Sequence, residues 1–190
     1  MRSDKIMKRA LVVGGTGMLS GVVAELVEDG WHVVVPSRRY APIPLDLPES
    51  TSDERRALWV EADWAAPESF AQRAKKALGG KAELLVAWVH DAYREDVLAA
   101  ITPLLTTDAA VVEVRGAAAA APTGGEVEPS LLAHETQLVV LGFVRDGEGT
   151  RWLTHREISD GVVDAVHRAL AERPPATHQI GEVNSYAVRV

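Results

Sequence analysis

Cysteine is missing altogether from this chain of 190 residues, so disulfides, thiolate nucleophiles and cysteine-ligated metals are excluded. Long apolar runs are missing too, since none approaches the roughly 20 residues that cross a bilayer. Met1–Lys8 is too polar and too short for a secretory signal. The expectation is a soluble cytoplasmic protein with no membrane partner. Positive charge is scarce, with 20 Lys and Arg against 27 Asp and Glu and a net charge of −7. Phosphate backbones are bound by clustered Lys and Arg, and no basic stripe is present, so nucleic acid is not an expected partner. No spacing suits a metal, a nucleophile elbow or a Gly-Lys-Ser/Thr phosphate loop. At this length a single domain over 1–190 is the simplest organisation. Met7 is an alternative start, which makes residues 1–6 a flexible extension.

What the chain does contain is a strand, a tight turn and a helix in RALVVGGTGMLSGVVAELVEDG, Arg9 to Gly30. Ala10 to Val13 suit a strand buried on both faces. Met18, Leu19, Val22, Val23, Leu26 and Val27 then recur at helical spacing. Between them stand Gly14, Gly15, Thr16 and Gly17. A turn this tight needs backbone conformations that a side chain obstructs, and Gly17 lets the backbone approach a diphosphate. The N–H groups that open the helix face the anion.

The spacing Gly14-x-x-Gly17, with Thr16 and Leu19 directly after a first strand, resembles the Gly-x-x-Gly-x-x-Gly fingerprint of extended and atypical short-chain dehydrogenase/reductases. The last position departs from it, because Ser20 stands there and Gly21 follows one place late. The resemblance implies an α/β fold, a single doubly wound parallel sheet of Rossmann type with about six to seven strands and helices on both faces. It also implies a dinucleotide held by Gly14, Gly15, Thr16, Gly17, Met18 and Leu19. Which dinucleotide is set after the second strand, Trp31 to Val35. An acid there suits the NAD ribose, whereas arginine suits the NADP 2′-phosphate. The strand ends Pro36-Ser37-Arg38-Arg39 with no acid at hand. The expected cofactor is therefore NADP(H) rather than NAD(H), with Arg38 on the phosphate and Ser37 or Arg39 assisting.

Further along, Tyr40 to Pro48 reads as a loop and Ser50 to Leu58 as a short helix. A third strand, Leu58 to Ala62, ends in Asp63-Trp64. The resemblance places Asp63 beside the adenine with Trp64 as its neighbour; the other reading is that Asp63 caps the next turn. Pro67 to Leu78 is a helix with Phe70, Ala74, Ala77 and Leu78 inward. A fourth strand, Leu84 to Val89, leads to His90 and a helix from Ala92 to Leu105, loosened by Pro103. Ala109 to Val114 is a fifth strand. Gly116 to Glu128 reads as a mobile loop, Pro129 to Glu135 as a short helix, and Thr136 to Val144 as a long sixth strand. Thr154-His155-Arg156-Glu157 is a capping box that opens a helix stopped by Pro174-Pro175. Ile158, Val162, Val163, Val166 and Leu170 form its apolar face, and Tyr186 to Val190 supply a last edge strand.

Catalytic members of the resembled superfamily carry a Tyr-x-x-x-Lys pair, in which the tyrosine protonates a carbonyl and the lysine lowers its pKa. This chain has no lysine after Lys81, and neither Tyr93 nor Tyr186 has one four places on. The fourth strand also lacks the family's Asn-Ala-Gly type ending. His90 and Tyr93 are the candidate substitutes, His90 because it stands at the strand end where a nicotinamide or its partner would sit, as a proton donor or as a hydrogen-bond partner of the cofactor carboxamide. Arg115 is a candidate anion contact or a partner of Glu113. Trp64, Trp88 and Trp152 are candidates to line a planar-ligand pocket. Two readings follow: an NADPH-dependent reductase acting on a small-molecule acceptor, or a non-catalytic NAD(P)-binding regulator. The resemblance further implies a homodimer.

Overall fold

A computed structural model describes residues 7–40, 57–116, 127–147 and 149–183. The expected extension at 1–6, the loop and helix over 41–56, the loop over 117–126 and the strand at 186–190 lie outside the described residues. Within them the apolar runs become strands. In chain order these are β1 (Arg9–Val13), β2 (His32–Ser37), β3 (Ala57–Glu61), β4 (Ala82–Trp88), β5 (Leu105–Gly116) and β6 (Thr136–Leu141), then β7 (Phe143–Asp146), β8 (Gly149–Trp152) and β9 (Thr177–Ile180). Four helices connect them: α1 (Ser20–Glu28), α2 (Pro67–Leu78), α3 (Asp91–Ile101) and α4 (His155–Leu170).

Seven strands form one sheet in the order β3-β2-β1-β4-β5-β6-β9, every pair parallel, while β7 and β8 make a separate antiparallel hairpin. Strand periodicity splits the core into two layers. Ala10 and Val12 of β1 pack with Val22, Val23 and Leu26 of α1 and with Ile158, Val162 and Val166 of α4. Leu11 and Val13 face the other way, onto Phe70 and Ala74 of α2 and Val97 and Ile101 of α3. The step from β6 to β9 runs opposite to the step from β1 to β2, yet α4 shares a face with α1. The two crossovers are therefore of opposite hand, against the strong right-handed rule.

Four expectations are corrected. The sixth strand does not run through to Val144: it stops at Leu141, because Gly142 and Phe143 are taken up by the chain leaving β9. The Gly142 N–H donates to the Ile180 carbonyl at 2.8 Å, and Glu182 N–H to Phe143 O at 2.7 Å. A Cβ on Gly142 would run into the Glu182 backbone. Pro129 to Glu135 forms turns rather than a helix, as Ser130 gives both its N–H and its hydroxyl to Glu113, each at 2.7 Å. The helix before β5 ends at Ile101 and passes into a 3₁₀ turn over Thr102–Leu104, where Pro103 cannot donate to a further α-helical bond. Leu170, expected on the apolar face of α4, is exposed.

Candidate functional site

The strand order reverses between β1 and β4, and in an open α/β sheet the crevice beyond the carboxyl ends of the strands at such a point receives ligands. A cleft of about 440 Å³ lies there. Gly14, Thr16, Gly17 and Met18 line it from the first turn, with Pro36, Ser37, Arg38 and Arg39 from the end of β2. Ala62 and Trp64 come from beyond β3, Trp88 from β4 and His155 from the start of α4.

The turn after β1 is built by two kinds of glycine. Gly14 has φ +89°, and a Cβ on it would come within 3.0 Å of the Trp88 carbonyl oxygen. Gly15 is buried, and a Cβ there would meet Val23 and Val35 methyls at 2.9 Å. Gly17 is exposed with open space where a Cβ would be. The first two glycines let the turn sit on the sheet, and the third keeps the cleft floor bare. Leu19 is fully buried beneath the turn, so Gly15 and Leu19 shape the site from below rather than line it.

Helix α1 then begins without a side-chain cap and without an acid in its first turn. An uncapped start leaves N–H donors and the positive end of the helix dipole for another partner. Gly21, one place after the fingerprint's third position, faces α4, where a Cβ would meet Ser159 at 2.8 Å. That close approach brings α4 onto α1, and the Ser159 hydroxyl donates to the Met18 carbonyl at 3.0 Å. It is also what carries His155 to the cleft. Sequence reading put His155 in the first turn of its helix and missed its place on the cleft, along with those of Pro36 and Ala62.

Thr16 and Ser37 join the two ends of the lining through a hydroxyl–hydroxyl hydrogen bond of 2.9 Å. The Ser37 hydroxyl also donates to the Arg39 carbonyl and accepts from the Arg39 N–H, which fixes the bend that presents both arginines. Arg38 and Arg39 are exposed, and neither makes an ion pair among the described residues. Among the described residues no carboxylate lines the cleft.

The other expected residues lie nearby or elsewhere. Asp63 is not in the lining: its carboxylate accepts from the Ala65 N–H at 3.0 Å, capping the turn, and borders a second groove with Arg38 and Arg73. His90 caps α3, its Nδ1 accepting from the Ala92 N–H at 3.3 Å, so the proton of a neutral ring sits on Nε2. His90 and Tyr93 stand outside the lining, linked to it through rings: His90 to Tyr93 at 6.5 Å, Tyr93 to Trp64 at 6.3 Å and Trp64 to Trp88 at 5.7 Å between centroids. Trp152 is 81% exposed on the hairpin and takes no part. Arg115 is engaged with Glu113 at 2.8 Å and Ser130 at 2.7 Å.

An NADH-dependent reductase A1-R′ complexed with NAD superposes with a TM-score of 0.59 at 18% identity, over 95% of this chain and 98% of that one. A short-chain dehydrogenase/reductase from Burkholderia multivorans with bound NADP gives 0.63 at 19% identity, over 93% and 98%. The chain has the short-chain dehydrogenase/reductase fold. A short-chain oxidoreductase from Pseudomonas aeruginosa PAO1 containing an atypical catalytic center shares that fold too, at 0.58 and 15% identity over 96% and 98%. No protein-family model and no curated protein matches the sequence. Among the described residues no helix is long and apolar enough to cross a membrane.

In this version of the fold α4 carries a full capping box. Thr154 Oγ1 accepts from the Glu157 N–H, and the Glu157 carboxylate accepts from the Thr154 N–H at 2.8 Å. Arg151 grips the same carboxylate with two bonds of 2.9 Å. These bonds, Arg151's first and Thr154's next, lower the Glu157 pKa from 4.5 to about 2. A carboxylate with a depressed folded-state pKa stabilises the fold above its unfolded value and loses that contribution as pH falls through the folded value. The cap beside His155 is therefore expected to hold from neutral pH through 4.5 and to fail near 2. Carboxyl-carbon NMR titration checks this, and a Glu157 midpoint near 4.5 would contradict it.

Proposed function

We propose that the cleft binds NADP(H) and that the protein is a cytoplasmic NADPH-dependent reductase acting on a small-molecule acceptor without a Tyr-x-x-x-Lys pair. The observation that carries the cofactor reading is the charge of the lining. Among the described residues Arg38 and Arg39 make no ion pair and no carboxylate lines the cleft, Glu61 and Asp63 lying instead in the neighbouring groove that Arg38 also borders. A 2′-phosphate suits that arrangement, and the 2′-hydroxyl of NAD, which needs an acid, does not. The turn fits a diphosphate as well, with a bare floor at Gly17 and an uncapped helix start behind it.

In this reading the backbone of Gly14 to Met18 holds the diphosphate, and Gly15 and Leu19 support it from the core. Arg38 takes the phosphate, Ser37 and Arg39 set its approach, and Trp64 belongs to the adenine end, while Asp63 caps the turn beside it. When bound, NADPH supplies the hydride, and the protein supplies orientation and a pocket. His90, through its Nε2–H, and Tyr93, through its hydroxyl, are the proton donors of this reading, standing outside the lining and linked to it through the Trp64 ring. With no lysine after Lys81, no ammonium group assists either of them from that half of the chain.

Following NADPH oxidation with quinones, flavins and carbonyl compounds tests the activity. Protein-dependent turnover with one class is expected, reduced about 100-fold in the His90→Ala, Tyr93→Phe double variant. Nucleotide binding without turnover on any class would contradict the reductase reading.

A further inference from the structure

The seam between α1 and α4 starts beside the cleft, where Gly21 faces Ser159, and its far end gathers three side chains able to ligate a metal. Glu25 and then Asp29 follow Gly21 at i, i+4 spacing, so they share its face of α1. His167 stands two such steps beyond Ser159 on α4. One donor atom from each of Glu25, Asp29 and His167 lies within 4.8 Å of the other two. His167 Nε2 is 3.8 Å from Glu25 Oε1.

Two features set this group apart from ordinary solvated surface charge. Its third donor is an imidazole contributed by a second helix, and imidazole is a ligand that first-row transition cations favour. The other feature is the end of α1 itself. Its last turn carries Glu25 and Glu28 without a lysine or arginine, and Asp29 closes it. Carboxylates thus crowd the negative end of a helix dipole, where a cation is stabilised. Zinc bonds of about 2.0–2.2 Å put the donors of a tetrahedral site roughly 3.4 Å apart. Glu25 and His167 have side chains about half exposed and close that gap by turning, while the Gly21–Ser159 contact holds the helix spacing.

We propose that Glu25, Asp29 and His167 form a binding site for a divalent zinc-type cation, which ties the end of α1 to α4. Water completes the coordination on the exposed side. One imidazole with two carboxylates suits zinc, whereas magnesium takes oxygen ligands and keeps its waters. Local spacing does not mark the site, because its ligands come from two helices far apart in the chain. It stands apart from the cleft and does not depend on the NADP(H) reading.

Calorimetric titration of the full chain with zinc chloride tests this, in buffer free of nucleotide. Saturable binding is expected, and an equal concentration of magnesium chloride should not compete. His167→Ala, and Glu25→Gln combined with Asp29→Asn, should each weaken zinc by at least about tenfold. Zinc should also raise the melting temperature of the wild type and leave that of His167→Ala unchanged. Wild-type protein that takes up no zinc would overturn the site, and magnesium that competes equally would overturn the zinc-type assignment. His167→Ala that binds zinc as tightly as the wild type would place the metal elsewhere, His90 and His155 being exposed as well. Hydrogen exchange on wild-type protein decides the matter without any substitution. Zinc is expected to protect the last turns of α1 and α4, and protection confined to other segments would contradict the proposal.

Discussion

Arg38→Ala is expected to weaken NADPH binding by about tenfold while NADH affinity stays within about twofold, because a hydrogen bond to a charged group contributes about 1.5–3 kcal/mol and each 1.4 kcal/mol is tenfold. The upper end of that range is not expected, since Arg38 is exposed and solvent screens exposed charge. Arg38→Lys should recover only part of the loss, because a point charge cannot reproduce the two-pronged geometry of guanidinium on phosphate. Competitive fluorescence titration of both nucleotides against both variants measures this. Equal loss for NADPH and NADH would mean that Arg38 supports the turn or the fold, and that the 2′-phosphate assignment is wrong.

A second large effect separates two glycines three residues apart. In Gly14→Ala the added Cβ meets the Trp88 backbone oxygen at 3.0 Å, at a residue whose φ is +89°. Left-handed strain of about 1–2 kcal/mol adds to overpacking of about 1–3 kcal/mol, so a destabilisation of about 2–4 kcal/mol is expected. In Gly17→Ala the Cβ meets nothing within 4 Å, and stability should change by no more than about 0.5 kcal/mol. That Cβ occupies the floor of the cleft, so NADPH binding should fall by more than about tenfold through lost close approach of the backbone. Urea denaturation with nucleotide titration reads both quantities. A Gly17→Ala variant that binds like the wild type would show that nothing is cradled at the turn.

The parallel sheet was legible because β1, β2 and β4 are apolar runs with no alternation, as double burial requires. The helices α2 and α4 were legible because their ends are marked locally, by Pro67 and Gly79 in one case and by Thr154 and Glu157 in the other. What escaped was set by distant chain. The end of β6 is decided at Glu182, which pairs with Phe143 after the chain has passed through α4 and β9. The position of His155 depends on Ser159 meeting Met18, a contact spanning 141 residues. No window of local periodicity contains either partner.

The same division runs through the cleft. Gly14, Thr16, Gly17, Ser37, Arg38 and Arg39 were legible as cleft residues because they stand in short contiguous segments at the ends of β1 and β2, and all six line it. His90 follows β4 and Tyr93 stands in the first turn of α3, but neither lines the cleft, whose wall on that side is formed by Trp88 and by Trp64, the ring that Tyr93 meets. Trp152 failed as a pocket residue because β8 belongs to a hairpin outside the main sheet.

The most direct test of the account is calorimetric titration of folded wild-type protein with NADPH, repeated in the presence of adenosine 2′,5′-bisphosphate. Saturable one-to-one binding, abolished by the bisphosphate, is the predicted result. Folded protein that gives no saturable heat with NADPH would contradict the claim that the turn after β1 and the arginines after β2 form a dinucleotide site.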